Sequence, residues 1–300
     1  MQPKTPTFAL PPPAWACDCH VHVFGPFDRF PLSPERVYTP GPAPVGDLMN
    51  LLTRLGLHRV VVVQASPQGA DNRCLVDALE HINSTSNLQA RGVAVIHEAT
   101  SDVELEHLHQ AGVRGVRVNL ESAGQCDPDV ARQLLQWSAQ RVAPWGWHVQ
   151  TYTTLDVIAS VSDCLLSLPV PVVIDHFGRS MASKGIVQPG FNNLLQLVSS
   201  GKVWVKLSAA HRISDHPDCE DAQHIAQALV NAHPDRILWG TDWPHTGAWP
   251  GQSRSPQVLE PFHCIDDERA LQRIREWVGV SDWNKILHGN PEHLYQFNPT

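Results

Sequence analysis

The chain has 300 residues, of which 42% are hydrophobic and 17% charged, and its formal net charge at pH 7 is −8. This length suits one large domain, and an α/β barrel needs roughly 250 residues. The acidic balance argues against a nucleic-acid binder, and without an apolar run of about 18 residues no membrane span is predicted. Seven scattered cysteines do not suggest a disulfide framework, so a cytoplasmic location is expected. The proline-rich residues 1–14 are predicted to form a flexible N-terminal arm before one barrel domain over 15–300.

Eight apolar, strand-like segments follow one another along the chain. Several are continuous β-branched runs, such as the four valines at 60–63, which is typical of parallel strands buried on both faces. The predicted strands are 16–24, 59–65, 91–96, 115–120, 147–152, 170–175, 203–208 and 237–241.

Helical patterns lie between these strands. Leu48, Leu51, Leu52 and Leu55 repeat at helical spacing before Gly56, and Ser101 begins a capping-box pattern. Further helices are predicted at 128–142, 154–167, 190–200, 220–232, 267–278 and 282–296. The alternation predicts a single-domain α/β fold, a distorted (β/α)8 TIM-type barrel. A doubly wound open sheet is the alternative, but the glycine-rich fingerprint that often follows its first strand is missing.

The first strand ends in a His-x-His motif. Since side chains alternate along a strand, His20 and His22 are predicted to share one face, with Cys17 and Cys19 on the other. Two convergent imidazoles can bind a metal or stabilise a developing oxyanion.

Side chains that can take part in catalysis or ligand binding recur at the carboxyl ends of the other strands, where a barrel of this kind carries its active site. The opposite strand ends begin with ordinary residues, so a functional pocket is predicted at this rim. The polar groups there are Gln64, Ser66, Arg117, Asn119, Tyr152, Asp175, His176, Arg179, Ser208, His211, Arg212, Asp242 and His245.

Four motifs in order resemble the amidohydrolase superfamily, amidohydrolase 2 type. They are the His-x-His, VIDHFGR at 173–179, GTDWPH at 240–245 and ILHGNPEHLY at 286–295. Within it, the chain is most similar to the branch of 2-pyrone-4,6-dicarboxylate lactonase and related sugar-acid and muconolactone hydrolases. The resemblance covers about residues 15 to 297.

This resemblance implies a hydrolase that opens a lactone. It implies that Asp242 activates water as the general base and that His20, His22 and His176 polarise the ester carbonyl. The substrate-binding positions that it implies are Tyr38, Ser66, Arg117, Tyr152, Arg179 and Arg212, and His245 is predicted either to line the pocket or to orient Asp242. The stretch 121–124 reads Glu-Ser-Ala-Gly where the pyrone lactonase carries a second arginine, which leaves the dicarboxylate substrate in question.

A metal is the main mechanistic alternative. His20, His22, His176 and Asp242 could bind one zinc ion, whereas the fifth strand ends in Tyr152 and offers nothing for a second. The lactonase branch includes metal-independent members, so no cofactor is expected to be required.

Other functions stay open. They are a zinc-dependent decarboxylase or amide hydrolase on the same fold, and a non-catalytic binder of small anions. The expected partner is a small anionic lactone, with no nucleic acid and no membrane, and the expected assembly is a monomer or a small homo-oligomer.

Overall fold

A single sheet of eight parallel strands forms the centre of the molecule, and its strand order follows the chain. The computed structural model describes residues 11–85, 87–248 and 253–299. The strands are β1 Cys17–Val21, β2 Arg59–Val63, β3 Gln89–Ala94, β4 Val113–Asn119, β5 His148–Tyr152, β6 Val172–Ile174, β7 Val203–Ser208 and β8 Ile237–Gly240.

The sheet closes on itself at the seam between β1 and β8. Asp242 N donates to His20 O at 2.9 Å, and His22 N donates to Trp243 O at 2.8 Å. The predicted (β/α)8 TIM-type barrel is therefore confirmed. Most of the predicted N-terminal arm lies outside the described residues.

Ten helices in the described residues pack around or below the barrel. They are α1 Val45–Leu55, α2 Arg73–Asn83, α3 Asp102–Gln110, α4 Pro128–Val142, α5 Leu155–Ser160, α6 Ser162–Ser167, α7 Phe191–Ser199, α8 Gln223–Ala232, α9 Asp267–Asn284 and α10 Asn290–Tyr295. Gly56 ends α1 with φ 68°, and the side chain of Ser101 caps α3, both as predicted. In the described residues, no helix is both long and apolar enough to cross a bilayer.

Two helical predictions need correction. The window 154–167 holds two helices, α5 and α6, because the backbone leaves the helical region at Val161 (φ −109°, ψ 16°). Helix α2 was not predicted at all, although its buried side chains Leu75, Leu79 and Ile82 fall at helical spacing.

The interior of the barrel is filled by a cluster of side chains from six strands. Since these strands belong to opposite walls, the side chains can meet only inside the barrel. The cluster contains Cys17, Cys19, Val61, Val63, Val93, Val173, Trp204 and Leu238, together with Leu294, Tyr295 and Phe297 from the chain end. Arg59, at the start of β2, donates to Asn298 O at 2.8 Å, so the chain end closes the amino-terminal side of the barrel. A ligand therefore has access from the carboxyl-terminal side.

The first strand departs from the predicted alternation. Its pairing with β2 shifts register between Asp18 and Val21, which is a bulge. Cys17 and Cys19 belong to the interior cluster below the histidines, so the prediction that they face away is wrong. Strict alternation holds only along an unbroken ladder, and here the bulge turns His20 and His22 inward as well.

Candidate active site

Three imidazoles surround one carboxylate oxygen at the carboxyl-terminal end of the barrel. The Nε2 atoms of His20, His22 and His176 lie 3.6, 3.8 and 3.6 Å from Asp242 Oδ1. These separations are longer than hydrogen bonds. Within the described residues, His20 Nε2 and Asp242 Oδ1 are buried without a hydrogen-bond partner. Because such atoms are costly to leave unpaired, the geometry suits a water, a substrate oxygen or a cation held among them.

Unusual backbone presents two of these groups. His176 (φ 50°) opens a run of four residues with positive φ, His176–Arg179, and Asp242 has φ 70°. Residues other than glycine rarely adopt this conformation, and where it occurs it concentrates at functional sites. The loops after β6 and β8 thus hold strain at the positions that bring His176 and Asp242 together.

Burial keeps the three imidazoles neutral. It is the largest cause that lowers the pKa of His20 and His176 well below the usual value, and it lowers the pKa of His22 to about 4. His22 Nδ1 lies 2.8 Å from Val63 O, which can only accept, so Nδ1 carries the proton. His22 Nε2 therefore presents a lone pair, which can accept a hydrogen bond or bind a cation but cannot donate to a carbonyl.

The other two imidazoles have partners that allow Nε2 to donate. His176 Nδ1 lies 2.8 Å from Ser208 Oγ, a hydroxyl that can donate to it. His20 Nδ1 faces Lys206 Nζ at 3.4 Å, which only donates, and Asp175 Oδ1 at 3.2 Å, which accepts when ionised. His20 can therefore carry its proton on either nitrogen.

A buried charge network supports His20 from below. Lys206 Nζ donates to Gln150 Oε1 at 2.7 Å, and Arg117 Nη2 lies 3.3 Å from Asp175 Oδ2. Burial alone would raise the pKa of Asp175, but Lys206 and then Arg117 outweigh it and hold that pKa below its usual value. Sequence reasoning missed Lys206; the available signal was a charged residue two positions before Ser208 in an otherwise apolar strand.

Arg212 fixes the orientation of Asp242. Its Nε and Nη2 donate to Asp242 Oδ2 at 3.0 and 2.6 Å, and Nη2 also donates to Thr246 O. Burial opposes the charged form of Arg212, yet Asp242 raises its pKa above the usual value. With Oδ2 held in this way, Oδ1 is turned towards the imidazoles. The structure thus places Arg212, predicted to bind substrate, as the partner of the predicted base.

A cavity of about 610 Å³ opens above this centre. Most of the predicted site residues line it, namely His22, Tyr38, Ser66, Arg117, Tyr152, His176, Arg179, Arg212 and Asp242. His20 is fully buried beneath them. His245 is not among the lining residues, and its Nε2 lies 3.1 Å from Asp267 Oδ1.

Two ion pairs lie at the cavity wall. Arg179 Nη2 lies 3.3 Å from Glu121 Oε1, so a carboxylate partly neutralises this arginine. Arg254 bonds Glu260 and lies over the ring of Tyr38, with Cζ 3.5 Å from the ring centre. Arg254 comes from an irregular segment after β8, where no periodicity in the sequence marks a site.

Comparisons with known proteins identify the family of this chain. Residues 17–297 match the family model described as amidohydrolase. The chain belongs to the amidohydrolase family. It is 41% identical to the 2-pyrone-4,6-dicarboxylate hydrolase of Comamonas testosteroni, over 98% of this chain and 93% of that protein. It is 35% identical to the 4-sulfomuconolactone hydrolase of Hydrogenophaga intermedia, over 96% of this chain and 90% of that protein.

A solved structure is also similar to this chain. The structure, from Pseudomonas putida, is 31% identical, with a TM-score of 0.79, and the match covers 96% of this chain and 99% of that one. The predicted family is confirmed, and its named relatives are lactone hydrolases, as the sequence predicted.

The donor set of this amidohydrolase fits one divalent cation. Ligand atoms of His20, His176 and Asp242 all lie within 4.8 Å of one another. His22 adds the lone pair of Nε2, which completes a set of three nitrogens and one oxygen of the kind that zinc accepts. The two buried atoms without partners, His20 Nε2 and Asp242 Oδ1, belong to this set.

Proposed function

We propose that this amidohydrolase opens a carboxylated lactone by attack of water. One observation carries the proposal. Asp242 is held by Arg212 through one oxygen, while its other oxygen faces three neutral imidazoles at the floor of an arginine-lined cavity. A carboxylate fixed on one side and open on the other is suited to accept a proton from water.

The side chains at the floor of the catalytic cavity have different roles in the proposed reaction. A water molecule donates hydrogen bonds to Asp242 Oδ1 and to the lone pair of His22 Nε2. It loses a proton to Asp242 as its oxygen bonds to the lactone carbonyl carbon. His20 and His176, protonated on Nε2, donate hydrogen bonds to the carbonyl oxygen as negative charge develops there. The ring C–O bond then breaks, and the leaving oxygen takes the proton from Asp242, which restores the carboxylate.

Arginines at the wall support an anionic substrate. Arg117 lines the cavity, and its Nη2 also pairs with Asp175 Oδ2 at 3.3 Å. A guanidinium can bind both oxygens of a carboxylate. The relatives are named for a pyrone dicarboxylate and a sulfomuconolactone, both of which carry acidic groups. The substrate class we propose is therefore a lactone with at least one carboxylate, pyrone-like, muconolactone-like or derived from a sugar acid.

We further propose that no metal is required. A zinc ion bound by His20, His22, His176 and Asp242 would polarise the carbonyl and acidify water. In the proposed reaction the imidazole hydrogen bonds and Asp242 perform these two tasks. A zinc-dependent decarboxylase or amide hydrolase is the competing use of the same residues.

A lactone panel assayed with and without a chelator tests both proposals. The panel spans pyrone dicarboxylates, muconolactones and aldonolactones, with ring opening followed by loss of ring absorbance or by acid release. We expect turnover of at least one carboxylated lactone, at a rate that chelation leaves unchanged. No turnover of any member would refute the lactonase. Activity lost to the chelator and restored by zinc would refute only the metal independence, and release of carbon dioxide would point to the decarboxylase.

A further inference from the structure

A second cavity lies behind the catalytic one, between α9 and the outer side of the barrel. Its volume is about 250 Å³, and His211 lines both cavities. One wall is a single face of α9, and the other includes Leu207 of β7 and Trp239 of β8. The face of α9 and its N-cap contribute Asp266, Arg269, Ala270, Arg273, Ile274 and Trp277, at helical spacing.

Arg273 is the exceptional group in this cavity. Only 8% of it is exposed, and its guanidinium has no hydrogen bond or ion pair with any residue that the structure describes. Its Nε is fully buried without a hydrogen-bond partner, and its Cζ lies 6.0 Å from the centre of the Trp277 ring. Arg269, one turn earlier on the same helix, differs because its Nη1 bonds both oxygens of Glu276 at 2.8 and 2.9 Å. A largely buried guanidinium that has an aromatic ring but no carboxylate as partner is costly, so Arg273 is suited to receive an anion.

The walls of the cavity restrict that anion to one chemical class. Trp239, Trp277 and Phe177 provide apolar surface, which an inorganic ion would leave uncovered. Asp218 and Asp266 also line the cavity and would repel a second negative charge. We infer that this cavity binds a small organic monocarboxylate, with its carboxylate on Arg273 and its apolar body between Trp239 and Trp277.

This ligand differs from the proposed substrate. The catalytic cavity is lined by four arginines, Arg117, Arg179, Arg212 and Arg254, whereas the second cavity offers Arg273 alone without a carboxylate partner among the described residues. The inference does not depend on the reaction at Asp242, and binding can be measured without turnover.

Calorimetric titration of the full chain with benzoate tests the site. We expect Arg273→Gln to weaken benzoate binding about tenfold or more, since a charge-assisted pair is lost. Arg275→Gln, the matched control on the same helix but outside the cavity lining, should leave the affinity unchanged. Ala270→Leu, which fills the cavity and keeps Arg273, should abolish binding. Benzamide, which has the same shape without the charge, should not bind wild type.

The result that overturns the site is benzoate affinity that neither Arg273→Gln nor Ala270→Leu changes, because benzoate would then bind elsewhere, such as the catalytic cavity. Equal binding of benzamide would also overturn it. Circular dichroism and melting temperature establish that each variant folds, and if Arg273→Gln does not fold, Ala270→Leu decides. The anomalous signal of bromine in a crystal soaked with 4-bromobenzoate should lie between Trp239 and Trp277.

Discussion

Asp242 is the side chain whose substitution separates chemistry from binding. Asp242→Asn keeps the shape of the side chain, and its carbonyl oxygen can still accept from Arg212, but the amide cannot take a proton from water. We expect kcat to fall on the order of a hundredfold or more, with a small change in KM, as is typical when a general base is lost. Steady-state kinetics on the best lactone of the panel measure this.

The matched control is Asp267→Asn. Asp267 is also a buried carboxylate facing a histidine, His245, but it lies outside the catalytic cavity. It should retain most of the wild-type rate. If Asp242→Asn were to retain the wild-type rate instead, the chain would be better understood as a binder of small anions.

Glu121 is the side chain that we expect to limit the charge of the substrate. Its carboxylate partly neutralises Arg179 across 3.3 Å, and both side chains are about one-quarter exposed. Glu121→Gln removes the negative charge at nearly constant shape, so a dicarboxylated lactone should bind better. Because partly exposed ion pairs contribute about 1 kcal/mol or less, we expect KM for dicarboxylates to fall about two- to fivefold with kcat little changed.

Comparison across substrates makes this prediction specific. KM for a monocarboxylated lactone should change less than KM for a dicarboxylated one. Glu106→Gln, at an exposed position of α3, is the control and should change neither. A higher KM for dicarboxylates in Glu121→Gln would mean that Glu121 helps to bind the substrate.

Which site residues the sequence could predict depends on where they lie in the chain. His20 and His22 lie near the end of the first predicted strand, and His176 and Asp242 directly follow predicted strands. Because parallel strand ends meet at one rim, their proximity follows from the fold. Arg254 belongs to an irregular segment whose path is set by tertiary contacts. The pairing of Arg212 with Asp242 is likewise a matter of side-chain direction, which strand order does not specify.

The seam between β1 and β8 is the element on which the site depends most. Gly240 ends β8, and a Cβ added there would lie 2.7 Å from the backbone N of His20 and 2.8 Å from its Cβ. Gly240→Ala must therefore push the two strands apart. We expect the free energy of unfolding to fall by about 1–3 kcal/mol, typical of overpacking, and the rate to fall because His20 moves. Chemical denaturation and lactone kinetics measure the two effects.

Gly289→Ala provides the comparison for this seam. A Cβ at Gly289 would meet no atom within 4 Å, so stability and rate should stay near those of wild type. Wild-type stability in Gly240→Ala would show that the seam accommodates the added methyl group. The close packing of β1 on β8 would then not be the reason that position 240 is a glycine.

Elements were predictable where the local sequence carries their pattern, and not where a feature arises from pairing between strands. Continuous valine runs identify β2, and a capping box identifies α3. Helix α2 was missed although Leu75, Leu79 and Ile82 carry its apolar spacing, so this helix was predictable from the sequence. The bulge in β1 has no signal in period-two alternation, since the extra residue arises from pairing with β2 rather than from local preference.

For the molecule as a whole, buried histidines set the dependence of stability on pH. Burial is the largest cause that lowers the pKa of His22 to about 4 and of His148 to about 3. In the unfolded chain, histidines titrate near 6.5. Below that pH the unfolded state binds protons that the native state does not bind. The free energy of unfolding must therefore fall as the pH is lowered from about 6.5 to about 4.

One carboxyl group opposes this trend. Burial raises the pKa of Asp18 to about 7, so the native state keeps a proton there that the unfolded state releases above about 4. The proton on Asp18 therefore stabilises the native state as the pH falls. This gain offsets the loss of stability caused by about one buried histidine. Because burial lowers the pKa of His20, His176 and His211 as well, the histidines together outweigh Asp18.

We therefore expect the midpoint of chemical denaturation to decrease steadily between pH 6.5 and 4.5. His148→Gln should reduce the slope of the free energy of unfolding against pH, because it removes one group that titrates only on unfolding. The expected reduction corresponds to about one proton, or about 1.4 kcal/mol per pH unit at most. His81→Gln, at an exposed position of α2, should leave the slope unchanged. Stability that is level or increases towards pH 4.5 would mean that the buried imidazoles accept protons in the native state, and the neutral histidines on which the proposed oxyanion donors rest would then have to be reassigned.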